Sequence, residues 1–360
     1  MHVRLRNPDR VERLNGPKQV REVLDELDIN PTTVLVIRDG QLLTHETSLD
    51  DRDEIEIRPV ISGGAGAPRC ATCGASAVIE EPRHRSAWCG AHYGDHVHNQ
   101  IRKAIDQRFD GVRMFSYGDR LLVAVSGGKD SLALWHALIA MGYRVDGLYV
   151  GLGIGGYSKR SLRVCREFDA RHVVPRGLQL HVVDMEAEYG YSTPSGADAA
   201  RRSTCGVCGL SKRYIFNRFA VEHDYDVMLT GHNLDDEAAT LLGNVLRWKD
   251  EFLTRQAPVL PATGANQVRK CKPLYRLSER EMAAYCVVEG IDYVVEECPL
   301  VAGNTSHEQK AALNLIEQAS PGSKAQFLFG FLDREAQRWA SAGEGDAVEL
   351  VPCAECGMPT

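Results

Sequence analysis

No run of this 360-residue sequence is apolar over the roughly 18–20 residues that a bilayer-spanning helix requires, which excludes a membrane span of that kind. The opening MHVRLRNPDRVERL lacks the apolar core of a secretion signal, so a cytoplasmic protein is the expectation. Basic residues are not in excess: the formal net charge is −7, which speaks against a chain whose whole surface is built for phosphate. Residues 1–66 hold 9 Lys and Arg against 13 Asp and Glu, so more than half of that deficit sits there. The remainder carries local basic groups at Lys159-Arg160, Arg201-Arg202, Lys212-Arg213 and Arg269-Lys270 with Lys272. Such groups are ordinarily solvated surface and gain meaning only around a site. No short-period repeat is visible, and no G-x-x-x-x-G-K-[ST] loop is present. The 11 cysteines are odd in number, and without a secretion signal they read as metal or redox chemistry instead of a disulfide framework.

What is present divides the chain into four parts. Residues 1–64 alternate as a small α/β module. MHVRLR suits a strand, a short second strand fits near Val11–Leu14, and Val20, Val23, Leu24 and Leu27 share one helical face. Thr33–Arg38 is β-rich, Asp39-Gly40 is a hairpin turn, and Glu54–Val60 sets Ile55 and Ile57 between charges. Ser62-Gly63-Gly64-Ala65-Gly66-Ala67-Pro68 is a linker by composition. Residues 65–99 complete the linker and add a cysteine–histidine segment. Residues 100–340 alternate strands and helices, which argues a doubly wound parallel sheet. Strands are expected at Leu121–Val125, Val145–Leu152, Leu178–Val183 and Val227–Thr230. Helices are expected at Ser131–Met141, Cys208–His223 and Asp235–Arg247. Residues 341–360 form a tail ending in Cys353 and Cys356.

Three groups of residues carry chemistry. The first is Ser126-Gly127-Gly128-Lys129-Asp130-Ser131 between a buried strand and a helix. Its glycines let backbone approach phosphate, the helix N-terminus offers free N–H groups, and Lys129 adds charge. Gly231-His232-Asn233-Leu234-Asp235-Asp236 likewise follows a strand and opens a helix, where Asn and Asp also serve as ordinary caps. The second group is Cys205-Gly206-Val207-Cys208, placed before a helix start with Lys212 one turn on. A persulfide-bearing redox pair, half of a zinc site and two ligands of an iron–sulfur cluster are all consistent with it. The third group is Cys70-x2-Cys73 followed by Cys89-x2-His92, at structural-zinc spacing. His84, His96 and His98 read as surface extras, and Cys165 and Cys286 as core residues inside helices. Cys353 and Cys356 supply only half of a possible second zinc site.

These motifs support resemblances. The N-terminal module resembles the β-grasp, ubiquitin-like sulfur carriers of the ThiS/MoaD type, which end in Gly-Gly. The hexapeptide loop is similar to that of the PP-loop ATP pyrophosphatases (adenine nucleotide alpha hydrolase-like fold), which cleave ATP between the α and β phosphates. From Pro68 to about Ala340 the chain resembles the TtuA-type tRNA 2-thiolation enzymes. It shares with them the ribbon, SGGKDS, C-x-x-C-x-x-x-K, GHNxDD, Lys272-Pro273-Leu274 with an acidic helix, and Glu297-Cys298-Pro299. The resemblance implies ATP with Mg2+ at Ser126–Ser131, Gly231 and His232, a [4Fe-4S] cluster on Cys205, Cys208 and Cys298, and structural Zn2+ in the ribbon. It implies catalytic roles for Lys212, Asp236 and Asp130, with Asp235 less favoured, and leaves Cys271 as a rival third ligand. It further implies a homodimer, a tRNA partner, and sulfur from a carrier protein or from the chain's own N-terminal module, fed by an E1-like activating enzyme and a cysteine desulfurase. The expected reaction is 2-thiolation of the T-loop uridine at position 54. The alternatives are wobble-uridine thiolation, a persulfide enzyme without a cluster, and a PP-loop ligase or amidating enzyme without sulfur. A non-enzymatic adaptor is disfavoured by the intact Lys129, Asp130, Lys212 and Asp236. A thiocarboxylate needs a free C-terminus, yet Gly64 is followed by Ala65, so the module is either released by cleavage or kept as a fixed docked domain.

Overall fold

The computed structural model describes residues 1–6, 10–29, 31, 34–59, 69–109, 111–262, 264, 266–301 and 305–334. Thr33, the linker with Gly63-Gly64, and the tail with Cys353 and Cys356 lie outside the described residues.

The alternating residues of the N-terminal module form β1 (His2–Leu5), β2 (Arg10–Arg13), β3 (Lys18–Gln19), α1 (Val20–Glu26), β4 (Val34–Arg38), β5 (Gln41–Leu43), β6 (Ser48–Leu49) and β7 (Glu54–Pro59). The sheet order is β2-β1-β7-β4-β5, with β1 and β7 parallel. Asp39 and Gly40 both take left-handed φ values, 51° and 74°, as the tight hairpin between β4 and β5 demands. Val3, Ile55 and Ile57 pack on Val20, Val23 and Leu24 of α1, the face that helical spacing predicts. On β4 the alternation breaks down: Val34, Leu35, Val36 and Ile37 are all buried. Val34 and Val36 belong to the module's own core, whereas Leu35 and Ile37 join the core of the rest of the chain. A strand covered on both faces reads as a continuous apolar run, and this one is.

The ribbon follows as β8 (Ile79–Glu81) and β9 (Ser86–Trp88), leading into α2 (Gly90–Asp106), which spans the expected domain boundary at residue 99. The large domain contains β10 (Leu121–Val125), α3 (Lys129–Ala140), β11 (Val145–Gly151), α4 (Gly155–Phe168), β12 (Leu180–Asp184), α5 (Met185–Tyr189), α6 (Thr193–Ala200), α7 (Thr204–Glu222) and β13 (Val227–Leu229). It continues with α8 (Leu234–Leu246), α9 (Asp250–Leu253), β14 (Val259–Leu260), β15 (Arg269–Cys271), α10 (Glu279–Val288), α11 (Thr305–Ala319) and α12 (Ser323–Arg334). The sheet runs β12-β11-β10-β13-β15-β14, parallel except for the edge strand β14. From β10 the chain builds outward to β11 and β12, then returns to the other side of β10 as β13. The strand order therefore reverses between β10 and β13, and the crevice at their C-terminal ends is where doubly wound sheets hold ligands.

The structure corrects the reading of the histidines as surface. His96 is buried, and its Nε2 lies 3.2 Å from Glu281 Oε1. His84 Nε2 sits 3.2 Å from the same oxygen, and Arg83 donates to Glu281 Oε2 at 2.6 Å. His98 is half-buried, with Nε2 2.8 Å from the Tyr285 hydroxyl. The aromatic stack of Trp88 on His96 completes this joint between ribbon and α10. A carboxylate buried on α10 needs partners from elsewhere, and the ribbon supplies them.

Candidate active site

Both glycine-bearing loops emerge at the crevice. Gly127 has φ 78°, and a Cβ there would lie 2.9 Å from the Ser161 carbonyl, so the loop backbone is pressed against α4. Gly128 caps α3, whose first turn points free amides into the crevice. The loop is tied internally by the Ser126 N–H to Ser131 Oγ at 3.2 Å and by Ser131 Oγ to the Gly128 carbonyl at 3.0 Å. The second loop touches the first. A Cβ on Gly231 would lie 2.9 Å from the Ser131 nitrogen, and Asn233 Nδ2 donates to Asp130 Oδ1 at 3.1 Å. Asn233 is the N-cap of α8, and Asp236 closes the capping box by accepting from the Asn233 N–H at 3.1 Å.

A run of charges links the two loops to the C-terminal helices. Lys129 Nζ lies 2.6 Å from Glu279 Oε1 and 3.2 Å from Asp130 Oδ2. Lys310 of α11 bridges Asp236 at 2.6 Å and Glu279 at 3.2 Å. Asp235 pairs with the buried Lys324 and accepts from the Glu279 N–H at 2.9 Å, which gives it a structural role. Burial pushes the Asp130 carboxyl up to about 6, although Lys129 opposes it. Burial also works against the Glu279 charge, but Lys129 and Lys310 outweigh it and hold Glu279 at about 2. Sequence reading missed Glu279, Lys310 and Lys324. Only the acidic start of the helix after Lys272-Pro273-Leu274 hinted at them, because α10, α11 and α12 supply them from distant positions.

The cysteines line a cavity of about 620 Å³ together with Lys212, Ser126, Gly128, Asp130, Ser131, Gly231 and His232. The helix expected from Cys208 begins four residues earlier, at Thr204, so that Cys205 and Cys208 both lie within the first turns of α7, which Ser203 caps. Cys205, Cys208 and Lys212 stand at i, i+3 and i+7, one face of that helix. Cys298 approaches from the loop after α10, and Cys205 Sγ lies 3.8 Å from the Leu300 carbonyl. Cys271 is elsewhere: it is fully buried in β15, with its thiol 3.4 Å from the Met114 carbonyl, and does not line the cavity. Asp236 does not line it either; its carboxylate is turned to Lys310 and the cap. A second cavity, of about 530 Å³, shares Gly128 and Asp130 as a wall and is lined by Lys129, Glu279 and Lys310.

In the ribbon, the ligand atoms of Cys70, Cys73, Cys89 and His92 all lie within 4.8 Å of one another. Cys73 Sγ and Cys89 Sγ are 3.8 Å apart, and His92 Nδ1 is 3.3 Å from Cys89 Sγ and 3.7 Å from Cys70 Sγ. Tetrahedral bonds of about 2.3 Å to zinc would set two sulfurs roughly 3.8 Å apart, so this donor set fits the ion.

A parallel sheet with an anion-binding loop at its switch point defines an α/β ATP-binding protein of the PP-loop kind. Residues 95–300 match the PP-loop domain family, and residues 3–64 match the ThiS family. The tRNA-5-methyluridine(54) 2-sulfurtransferase of Thermus thermophilus is 48% identical over 291 residues, covering 81% of this chain and 87% of that protein. The protein of the same name from Pyrococcus horikoshii is 36% identical over 292 residues, covering 81% and 90%. The chain belongs to the family of tRNA-5-methyluridine(54) 2-sulfurtransferases. Among solved structures, the U34-tRNA thiolase NcsA from Methanococcus maripaludis with its [4Fe-4S] cluster shares the fold. Its TM-score is 0.64 at 21% identity, covering 80% of this chain and 90% of that one.

Proposed function

We propose that this chain is an ATP-dependent tRNA 2-sulfurtransferase acting on the T-loop uridine, as the names of its relatives say of them. The observation that carries the reading is a single cavity in which Cys205, Cys208, Cys298 and Lys212 face the phosphate loop. ATP with Mg2+ is assigned to the loop amides of Gly127–Ser131, with Ser126 and Ser131 as hydroxyl donors and Gly231 and His232 closing the far side. Attack by the base O2 on the α-phosphorus forms the adenylated base and releases diphosphate; sulfur then enters at C2 and AMP leaves. Lys212 presents an ammonium where charge develops on the leaving group. Asp130, with its raised pKa, lies on the wall between the two cavities, and Asp236 acts from its seat against Lys310.

Three cysteine thiolates from two elements suit a [4Fe-4S] cluster, which when bound would supply one open iron site for an incoming sulfur. Zinc in the ribbon would be structural, because all four positions are filled by protein ligands. We assign sulfur delivery to a carrier protein or, once the Gly64–Ala65 bond is hydrolysed to free the Gly64 carboxyl, to the β-grasp module itself, charged by an E1-like enzyme and a cysteine desulfurase, in a cytoplasmic homodimer. Among the described residues no helix is long and apolar enough to cross a membrane. The test is purified chain with reconstituted cluster, ATP, sulfide and unmodified tRNA. AMP and 2-thiouridine should form together, and AMP formation without thiolated base would refute the sulfur chemistry.

A further inference from the structure

Two of the basic groups scattered along the sequence come together at the mouth of the cysteine cavity. Residues 155–176 hold six Lys and Arg against two Asp and Glu, in a chain whose formal net charge is −7. Four of the six lie on α4, where Lys159, Arg160, Arg163 and Arg166 are all exposed. Positions 159, 163 and 166 stand at i, i+4 and i+7, so these three share one helical face, and they line one open groove with Leu162. The opposite face belongs to the site: Tyr157, Ser158 and Ser161 line the cysteine cavity, and the Ser161 carbonyl backs Gly127 of the phosphate loop. Helix α4 is thus a wall of the cavity on one side. On the other it carries a basic stripe that starts near the rim and runs about 10 Å.

On an ordinary solvated helix, charges of both signs mix and pair at i, i+4. On α4 the one such pair is Arg163 with Glu167, at 3.8 Å. Lys159, Arg160 and Arg166 have no carboxylate partner among the described residues. Across the mouth, Arg201 and Arg202 are exposed just before Ser203 and the cysteine-bearing start of α7, and they too lack carboxylate partners among the described residues. By contrast, Glu296 and Glu297 are exposed beside Cys298. The mouth therefore has two basic banks and one acidic bank, and its field steers a polyanion along α4 and away from the Cys298 loop.

A base modified inside the cavity must leave its stack, and its flanking phosphates then stay at the mouth. We infer that the Lys159–Arg163–Arg166 face of α4 holds the phosphate backbone of the RNA arm whose base enters the cavity. That the polyanion is tRNA rests on the function proposed above; the polarity of the mouth does not. Phosphate contacts fix register and orientation without reading sequence, so the stripe supplies affinity and leaves the choice of base to the cavity.

The test measures tRNA binding over a range of salt by the full chain with its cluster reconstituted. Wild type is compared with the triple variant Lys159→Ala, Arg163→Ala, Arg166→Ala. Alanine at exposed helical positions preserves α4, and unchanged Tm and cluster absorption verify that. A control variant removes equal charge from exposed positions of the N-terminal module: Arg10→Ala, Arg13→Ala, Arg21→Ala. The α4 variant should bind tRNA at least about tenfold more weakly at low salt, and the slope of log affinity against log salt should fall by about two. Its KM for tRNA should rise while its ATP affinity stands, and the control should bind tRNA as wild type does. Unchanged binding by the α4 variant would overturn the inference, and so would an equal loss in the control, because binding would then follow net charge alone. A wild-type chain that binds no tRNA at any salt refutes the tRNA reading and the stripe's role with it. Wild-type binding and thiolation that the α4 changes leave untouched refute the stripe alone.

Discussion

Adding one methyl group at Gly231 tests how the two loops are fitted together. In Gly231→Ala the new Cβ would lie 2.9 Å from the Ser131 nitrogen, 3.0 Å from the Asp130 carbonyl carbon and 3.1 Å from the Ser131 Cα. All three are backbone atoms at the start of α3, so no side chain can swing aside. Overpacking of this kind costs about 1–3 kcal/mol. For a domain of this size that is a Tm lowered by roughly 2–10 °C. The displacement falls on amides that must meet a phosphate at hydrogen-bond range, and losing one such donor costs about 100-fold in rate or more. Gly128→Ala is the matched control. Its Cβ would meet only Ser126 Oγ, at 3.4 Å, so the protein should keep its Tm. Its ATP affinity should nevertheless fall, because the methyl occupies the space reserved for phosphate. Thermal unfolding and AMP release with tRNA present are the two assays. A Gly231→Ala protein with unaltered Tm and rate would refute the packing argument. Full activity in Gly128→Ala would refute the placement of phosphate.

Other expectations follow from the same geometry. Cys298→Ser should abolish the visible absorption of the reconstituted cluster without changing the fold. Cys271→Ser should keep that absorption and lose about 1 kcal/mol of stability, because the buried thiol contact to Met114 changes. His92→Ala should release the ribbon zinc, measured by metal analysis, and loosen Trp88, seen in its fluorescence. Glu279→Gln should destabilise the protein near neutral pH by leaving Lys129 and Lys310 short of a counter-charge. Because the folded-state pKa of Glu279 lies at about 2, below its ordinary 4.5, the stabilisation is full above 4.5 and is lost as pH falls toward 2. The gap between wild type and Glu279→Gln in urea unfolding should therefore shrink below about pH 4.5, and a gap that widened there would reverse the sign.

The sequence made local features legible and left the distant ones hidden. The Ser126–Ser131 loop, the spacing of Cys205, Cys208 and Lys212, and the ribbon ligands each lie within a few residues, so spacing alone proposes their geometry. The parallel sheet was readable because each strand and helix repeats its own period. The Lys129–Glu279–Lys310–Asp236 run was not readable, since it joins four elements whose order in sequence says nothing of their contact. The same holds for His84 and His96: only the buried Glu281, nearly two hundred residues away, explains them. The double burial of β4 was written in the run Val34–Ile37, but a run of four apolar residues does not say what covers its second face. Family resemblance favoured Cys298 over Cys271; Cys298 lines the cavity that the α7 pair lines, and Cys271 does not.

The central claim is thiolation of a particular uridine, and mass spectrometry of tRNA reads it directly. Total tRNA from cells lacking this gene is digested and mapped, then compared with tRNA from cells in which the gene is restored with Cys205 intact or changed to Ser. 2-Thiouridine at T-loop position 54 should disappear, return with the intact gene and not return with Cys205→Ser. Loss at the wobble position with position 54 untouched would contradict it.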